Sequence, residues 1–435
     1  MVTLAVALGI GRFAFTPLLP LMLHGSAFGQ PHLDIQHGGW LASFNYAGYF
    51  VGAVACAALR VDAARMVRLG LVLTVLLTLA MGIASQFWVW AVVRFVAGAV
   101  SAWTFVYASQ WGLRRLAELD AHGWSGVIYA GPGLGIAGTG LLVSAAGGYG
   151  ATAGWIGFGL IAAVLSLLVW SAFGGKTDGH AAGAPVPNPQ ATGNQTETEF
   201  AEIELASIGL SAAELDEVES EETAQAARAA RAAANRTPHS ITPQPRSADA
   251  FWLILLYGIP GFGYIITATF LPVIARHALP GSSWPDLFWP MFGVALMAGA
   301  VLAARLPLHW DNRVLLAGCY VLQAVGVGLG IVWPTAAGFS FGSILLGLPF
   351  TAITLFAMRE ARRLRGDHAA GLMGFATAAY GIGQIVGPLV AAPIAAHTGS
   401  FSLALWLAAA SLVLGAAGLI AVALAPRGHT VVSSR

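Results

Sequence analysis

Twelve apolar segments, each about 20 residues or longer, dominate the chain. They lie at 2–23, 38–59, 68–87, 89–111, 123–146, 150–173, 251–275, 286–306, 313–333, 336–358, 369–396 and 401–425. A bilayer core about 30 Å thick requires roughly 20 apolar residues in a helix that rises 1.5 Å per residue. Only 9% of the residues are charged, against roughly 25% in soluble domains. The sequence therefore predicts an all-α protein that crosses a membrane twelve times.

The basic residues are distributed unevenly between the two sides of the predicted membrane. The connections on one side hold most of the arginines, whereas the connections on the other side hold Arg276 alone. Because cytoplasmic loops carry an excess of Lys and Arg, we expect both termini and the central segment in the cytoplasm. The start of the chain lacks the basic region and cleavage pattern of a secretion signal, so the first span is expected to be retained.

The two halves of the chain repeat each other. An offset of 248 places Arg114, Arg115 and Gly133 on Arg362, Arg363 and Gly381. Halves with the same orientation and a pseudo-twofold axis along the membrane normal place a binding site between them, near the bilayer midplane. The predicted organisation is a six-helix bundle at 1–173, a cytoplasmic hydrophilic linker at 174–249, a second six-helix bundle at 250–426 and a cytoplasmic tail at 427–435.

The linker has a different composition from the bundles. It is rich in Pro, Gly, Thr and Glu before it becomes rich in Ala and Arg. Such a segment cannot bury enough apolar surface to order itself, so we predict that it is largely disordered. The alternative is a docking segment for a cytoplasmic partner, as a membrane sensor or transceptor would need.

Several segments of the spans resemble one known family. They include "GIGRFAFTPLLPLM" in the first span, "RFVAGAVSAW" in the fourth, "REARRL" after the tenth and "GIGQIVGPL" in the eleventh. The chain resembles the YbfB/YjiJ-like bacterial branch of the major facilitator superfamily (MFS). This resemblance implies the MFS fold and secondary transport by alternating access in the bacterial inner membrane, but it implies no particular substrate.

The same resemblance implies coupling or gating roles for seven residues. Arg94 and Gly98 match the superfamily's Arg-x-x-x-Gly pattern, and Gly131, Pro132 and Gly135 match its Gly-Pro-x-x-Gly pattern, which is associated with exporters. Asp62 and Arg65 retain part of the signature that follows the second span. Export is therefore one predicted direction of transport.

Arg12 lies near the middle of the first span. An arginine at mid-bilayer costs about 2.5–3.5 kcal/mol on insertion scales, so we expect it to face the bundle interior or an aqueous cavity. Pro17 and Pro20 weaken the helical hydrogen bonds nearby. Arg12 then either binds substrate or, as a structural residue, hydrogen-bonds the carbonyls of a neighbouring helix. Arg94 has corresponding alternatives, with a structural or gating role favoured over a substrate or proton-linked one.

Polar and aromatic residues in the other spans predict the rest of the site. Each alone is more often an interhelical hydrogen bond than a ligand contact, but together they favour an aromatic cavity for a small organic molecule. The predicted substrate-binding set is Arg12, Phe15, Asn45, Tyr49, Tyr107, Tyr129, Tyr264, Thr267, Tyr380 and Gln384. Because they lie in corresponding spans, Tyr129 and Tyr380 are expected on opposite walls, as are Phe15 and Tyr264.

Two intramembrane arginines without an intramembrane carboxylate favour an anionic substrate. The expected function is secondary active transport of a small organic solute, anionic or aromatic. The expected partners are this substrate, the lipid bilayer and a proton or counter-anion, with no nucleic acid and with the protein as a monomer. No cofactor, metal or enzymatic activity is expected, because no acid, base or metal-ligating groups converge within the spans.

Residues near the span ends have simpler interpretations. His24, His277 and His397 suit interfacial hydrogen bonds or, alternatively, proton sensing. Cys56 and Cys319 lie within apolar runs and are expected to be packing residues rather than a disulfide. Tryptophans at span ends are expected to anchor the protein at the membrane interface; they include Trp40, Trp88, Trp90, Trp284 and Trp289.

Overall fold

The computed structural model describes residues 1–24, 33–58, 61–119, 125–173, 247–307, 309–366 and 369–425. These residues form twelve long helices. They are α1 (Val2–Leu23), α2 (Ile35–Ala58), α3 (Ala63–Ile83), α4 (Phe87–Glu118), α5 (Ser125–Ala146), α6 (Gly150–Trp170), α7 (Ser247–Ala278), α8 (Pro285–Ala304), α9 (Asn312–Val332), α10 (Ala336–Arg365), α11 (Ala369–Thr398) and α12 (Ser402–Leu424). The predicted linker and tail lie outside the described residues, except for the start of α7.

The predicted all-α membrane fold is confirmed. Eleven of the described helices are long and apolar enough to span a membrane. The twelfth, α2, is 24 residues long and carries no Asp, Glu, Lys or Arg. The predicted helix ends differ most at α4 and α10, which continue to Glu118 and Arg365. Glu360, expected outside the tenth span, therefore lies within α10.

The helix contacts repeat between the two halves. In the first half, α1 packs on α5, α2 on α4, and α3 on both α4 and α6. The second half has the same set, with α7 on α11, α8 on α10, and α9 on both α10 and α12. Between the halves, α2 packs on α11 and α5 packs on α8, while α1 meets α7. These contacts form two six-helix bundles related by a pseudo-twofold axis.

The two bundles are hydrogen-bonded along α1, α2, α7 and α11. We call the face that carries Met1 the terminal face and the other end of the bundle the opposite face. Ser43 Oγ donates to the Ile385 carbonyl oxygen at 2.9 Å, and the Tyr46 hydroxyl lies 2.9 Å from Thr269 Oγ1. Ser43 and Tyr46 lie in the half of α2 nearer the opposite face. A Cβ atom on Gly39, nearer still to that face, would clash with the Ala392 Cβ, so the bundles are in close contact toward the opposite face.

The terminal face holds a buried ion cluster in the second half. Glu360 is 1% exposed and accepts hydrogen bonds from Arg363 Nε at 2.7 Å and Nη2 at 2.6 Å. Arg313 Nε lies 3.6 Å from Glu360 Oε1, and Arg313 Nη2 pairs with Asp311 at 2.8 Å. Arg313 and Arg363 thus compensate the negative charge of Glu360, which lies within α10.

The corresponding connection of the first half is simpler. Asp62 accepts the Arg65 backbone N–H at 3.0 Å and so caps the start of α3. The Arg65 side chain lies 3.8 Å from the same carboxylate and is 84% exposed. A pair this exposed contributes little to stability. The structure therefore places Asp62 and Arg65 in a helix cap on the terminal face.

The tryptophans at the predicted span ends differ in exposure. Trp88 and Trp284 are exposed, as interface anchors would be, and Trp40 is half-buried. Trp90 and Trp289 are only 2% and 1% exposed, so the prediction that they anchor the interface is wrong. Trp90 Nε1 donates to the Met81 carbonyl oxygen at 3.1 Å. Trp289 lies between the two halves, as described below.

Candidate functional site

The first helix is irregular at its centre. A π-helical segment, Ala5–Ile10, is followed by a turn before the α-helix resumes at Phe15–Leu23. Thr16 N–H donates to the Phe13 carbonyl oxygen at 3.2 Å, so the Arg12 carbonyl lacks the donor that a regular α-helix would supply. Local π-helical turns of this kind occur frequently at functional sites. The freed carbonyl of Arg12 lies beside the buried side chain of Arg94.

Arg94 of α4 binds the freed carbonyls. Its Nη2 donates to the Arg12 carbonyl oxygen at 3.1 Å and its Nη1 to that of Gly11 at 3.5 Å. The Arg94 guanidinium carbon lies 4.7 Å from the centroid of the Phe15 ring. Asn45 Nδ2 donates to the Arg94 carbonyl oxygen at 2.8 Å. Arg94, Phe15 and Asn45 therefore form one unit that supports the irregular part of α1.

The Arg12 side chain crosses from the first half to the second. Its Nη2 donates to Gln384 Oε1 of α11 at 3.1 Å. The guanidinium carbon lies 3.8 Å from the Tyr49 ring centroid and 5.2 and 5.4 Å from those of Phe13 and Tyr46. Arg12 is 6% exposed. Within the described part of the chain, its Nε has no hydrogen-bond acceptor.

Gln384 is held in place by tyrosines of the second half. Its Nε2 donates to the Tyr264 hydroxyl. The Tyr380 ring stacks on both Tyr264 and Tyr257, with centroids 6.0 and 5.0 Å apart. Tyr257 in turn donates from its hydroxyl to Thr354 Oγ1 at 3.0 Å. This arrangement presents the amide oxygen of Gln384, rather than its nitrogen, to Arg12.

A closed circuit of seven side chains joins the two halves, and we call it the central ring. Successive aromatic members have ring centroids 5.1–6.2 Å apart. The two hydrogen bonds of the Gln384 amide and the cation–π contact between Arg12 and Phe13 complete the circuit. Its members in order are Arg12, Gln384, Tyr264, Phe350, Phe292, Trp289 and Phe13. One cation and one amide thus share a site that is otherwise aromatic.

Other predicted substrate residues lie outside the central ring. Tyr129 of α5 is buried, with its ring 6.4 Å from that of Phe105. Tyr107 is 3% exposed in α4. Thr267 lines a small, separate pocket within the second bundle, together with Ser343 and Leu405. The structure therefore does not bring Tyr107, Tyr129 or Thr267 into the set of contacts around Arg12.

The glycines expected to act in gating lie at close helix approaches. A Cβ atom on Gly135 would lie 2.5 Å from the Cα of Gly9, and one on Gly131 would meet the first backbone atoms of α1. Gly98 similarly faces the backbone of α2, and Pro132 lies inside α5. Small residues of this kind allow membrane helices to pack backbone to backbone.

The sequence comparison identifies the family. A family model described as "uncharacterised MFS-type transporter YbfB" matches residues 4–209 and 222–421. The chain belongs to this family. A comparison with curated proteins finds no match. With eleven helices in the described residues that can span a membrane, the protein is a multi-pass membrane transporter of the major facilitator superfamily.

Four residues of the central ring, Phe13, Trp289, Phe292 and Phe350, are absent from the substrate-binding set predicted from the sequence. Phe13 lies in α1, and the other three lie in α8 and α10 of the second half, with the Trp289 ring 6.2 Å from that of Phe13. Trp289 and Phe292 are three residues apart in "FWPMF", which places them on one face of α8. That spacing was an available signal, but the position of Trp289 near a span end favoured the membrane interface instead.

Proposed function

We propose that this transporter moves a small organic anion by alternating access and that Arg12 binds its anionic group. The family supports membrane transport, and the anion is inferred from the charge of the site. Arg12 is the cation whose side chain connects the halves, and Gln384 is its hydrogen-bond partner there. A neutral amide leaves the positive charge uncompensated, and an anionic ligand would compensate it.

Arg94 supports this assignment because both of its terminal nitrogens already hydrogen-bond the backbone of α1, where they bind carbonyl oxygens. These are the contacts expected of an arginine with a structural role. The same carbonyls belong to Gly11 and Arg12, so Arg94 fixes the backbone from which the Arg12 side chain extends. Arg12 and Arg94 therefore have different functions: Arg94 supports the backbone of α1, and Arg12 binds the ligand.

Alternating access requires a ligand site that both bundles share. Arg12 belongs to the first bundle and Gln384 to the second, so a ligand between them would contact both. The bundles also meet at Ser43 and Ile385 and at Tyr46 and Thr269, nearer the opposite face. We propose that these contacts separate when the bundles rock about the central ring.

Thermal unfolding of the purified protein with a compound library sorted by charge tests this proposal. A ligand that binds only the folded state raises stability by mass action. We expect small organic anions to stabilise the parent and not Arg12→Gln. Arg65→Gln is the matched control, because it removes the same charge from a side chain that is 84% exposed. Equal stabilisation of the parent and Arg12→Gln by anions would overturn the proposal.

A further inference from the structure

Two N–H groups of the central ring lack acceptors among the described residues. They are Nε of Arg12 and Nε1 of Trp289. Trp289 is 1% exposed and Arg12 is 6% exposed. Buried indole N–H groups normally find a hydrogen-bond partner. Two unsatisfied donors in one ring of side chains therefore point to a ligand that brings acceptors to both.

The aromatic members of the central ring favour a planar ligand. Trp289 and Phe292 stack with an interplanar angle of 2° and a centroid distance of 5.1 Å. Phe350 meets Phe292 edge-on at 5.9 Å and Tyr264 edge-on at 5.1 Å. Aromatic rings gain additional energy from offset-stacked and edge-to-face contacts with one another. An aromatic body would make such contacts where an aliphatic body of equal size would not.

We propose that Trp289 is a substrate-contacting residue and that the substrate is an aromatic carboxylate with a second oxygen acceptor. The carboxylate binds the Arg12 guanidinium, the second oxygen accepts the Trp289 indole N–H, and the planar body packs against the aromatic members of the central ring. This inference rests on the proposed function, because it places the anionic group at Arg12. It adds the shape of the ligand and a specificity-determining residue from the second half.

Trp155 provides a matched control for Trp289. It is also 1% exposed, and its Nε1 also lacks an acceptor among the described residues. It lies on α6, which contributes no member to the central ring. Trp155→Phe and Trp289→Phe therefore each remove a buried indole N–H group and keep an aromatic side chain. The first change lies outside the central ring and the second lies within it.

The experiment measures affinities from ligand-dependent thermal shifts of the full-length protein in detergent. The probes are benzoate, cyclohexanecarboxylate, benzamide and the three methoxybenzoate isomers, whose methoxy oxygen is an acceptor only. We expect benzoate to bind more tightly than cyclohexanecarboxylate and benzamide. One methoxybenzoate isomer should bind about fivefold more tightly than benzoate, as expected for one added hydrogen bond. Trp289→Phe should lose that gain, whereas Trp155→Phe should keep it.

The outcomes separate this inference from the proposed function. If cyclohexanecarboxylate binds as tightly as benzoate, anion binding stands and the aromatic specificity is wrong. If Trp289→Phe keeps the parent preference among the isomers, Trp289 does not contact the ligand. If none of the carboxylates binds better than benzamide, the anionic site at Arg12 is itself overturned. Size-exclusion profiles and unliganded melting temperatures establish that both variants are folded.

Discussion

Arg94 donates a hydrogen bond to the backbone carbonyl oxygen of Arg12 at 3.1 Å, so one buried arginine supports the segment that carries the other. The contact exists because the π-helical segment of α1 and the turn after it leave that carbonyl without its helical donor. The Arg12 side chain is directed to Gln384 in the second half. The two arginines are neighbours, but the structure gives them different partners.

Replacement of Arg94 by lysine should destabilise the protein without removing its preference for anions. Lysine keeps the charge but cannot reach two carbonyls with the fork geometry of a guanidinium. A buried carbonyl left without a donor costs about 1–3 kcal/mol, so the melting temperature should fall. The ratio of anion to neutral-ligand affinity should stay near that of the parent. A variant of unchanged stability that no longer discriminates anions would instead place Arg94 in the ligand site.

Replacement of Gln384 by glutamate should place a negatively charged carboxylate next to the Arg12 guanidinium. The glutamate oxygens would occupy the position of the amide oxygen 3.1 Å from Arg12 Nη2. We expect loss of anion-induced stabilisation, because the new carboxylate competes for the same guanidinium. Gln384→Asn is the control, because it changes the same side chain and keeps a neutral amide. Parent-like anion affinity in Gln384→Glu would show that the anion binds elsewhere.

The sequence predicted the architecture because membrane spans are long, apolar and separated by charged connections. It singled out Arg12, Tyr49, Tyr264, Tyr380 and Gln384, which the structure joins in one set of contacts, because polar groups in apolar spans are uncommon. It could not assign partners, since Arg12 and Arg94 lie in equally apolar segments and differ only in what packs against them. The contacts that distinguish them arise from tertiary packing between distant parts of the chain.

A reversible cross-link between the two bundles should stop transport. Ser43 Oγ lies 2.9 Å from the Ile385 backbone oxygen, so α2 and α11 are close there, and a bifunctional methanethiosulfonate reagent can join a Ser43→Cys, Ile385→Cys pair. The background should carry Cys56→Ala and Cys319→Ala, because both native thiols are free. We expect cross-linking to block substrate uptake into proteoliposomes and reduction to restore it. Undiminished uptake by fully cross-linked protein would exclude separation of α2 from α11 at this contact during transport.

Lowering the pH should weaken the helix cap that Asp311 forms at the start of α9. Burial alone would raise the pKa of the Asp311 carboxyl, but hydrogen bonds and the charge of Arg313 outweigh burial and lower the pKa. A lowered folded-state pKa contributes stability that is present above the unfolded value, about 3.9, and is lost as the pH falls through the folded value. Because Asp311 is 36% exposed, the effect should be below about 1 kcal/mol.

Asp311→Asn tests that pH dependence, because asparagine still caps a helix and lacks the charge. Its melting temperature should fall below that of the parent at pH 7, and the two should converge as the pH falls through the lowered pKa of the parent's Asp311 carboxyl. A constant difference between the two proteins across this range would mean that the carboxyl does not titrate as the Arg313 pair requires.

Sequence patterns were least informative where a residue's role depends on its distance from a span end. Trp289 lies near the start of α8, in a position typical of interface anchors, yet it is buried against Phe13 and Phe292. Glu360 lies beyond the last apolar residue of its span, yet α10 continues and buries it beside Arg313 and Arg363. In both cases packing against another helix, rather than hydropathy, determines the environment.

Uptake of a labelled organic anion into proteoliposomes tests the central role of Arg12 most directly. The anion is the compound with the largest thermal shift, and the proteins are the parent, Arg12→Gln and, as the control, Arg115→Gln, whose arginine is 58% exposed; all are reconstituted at equal amounts and checked for folding. We expect uptake by the parent and by Arg115→Gln and none above empty liposomes by Arg12→Gln. Uptake by Arg12→Gln at the parent rate would contradict the assignment of Arg12 as the anion-binding residue.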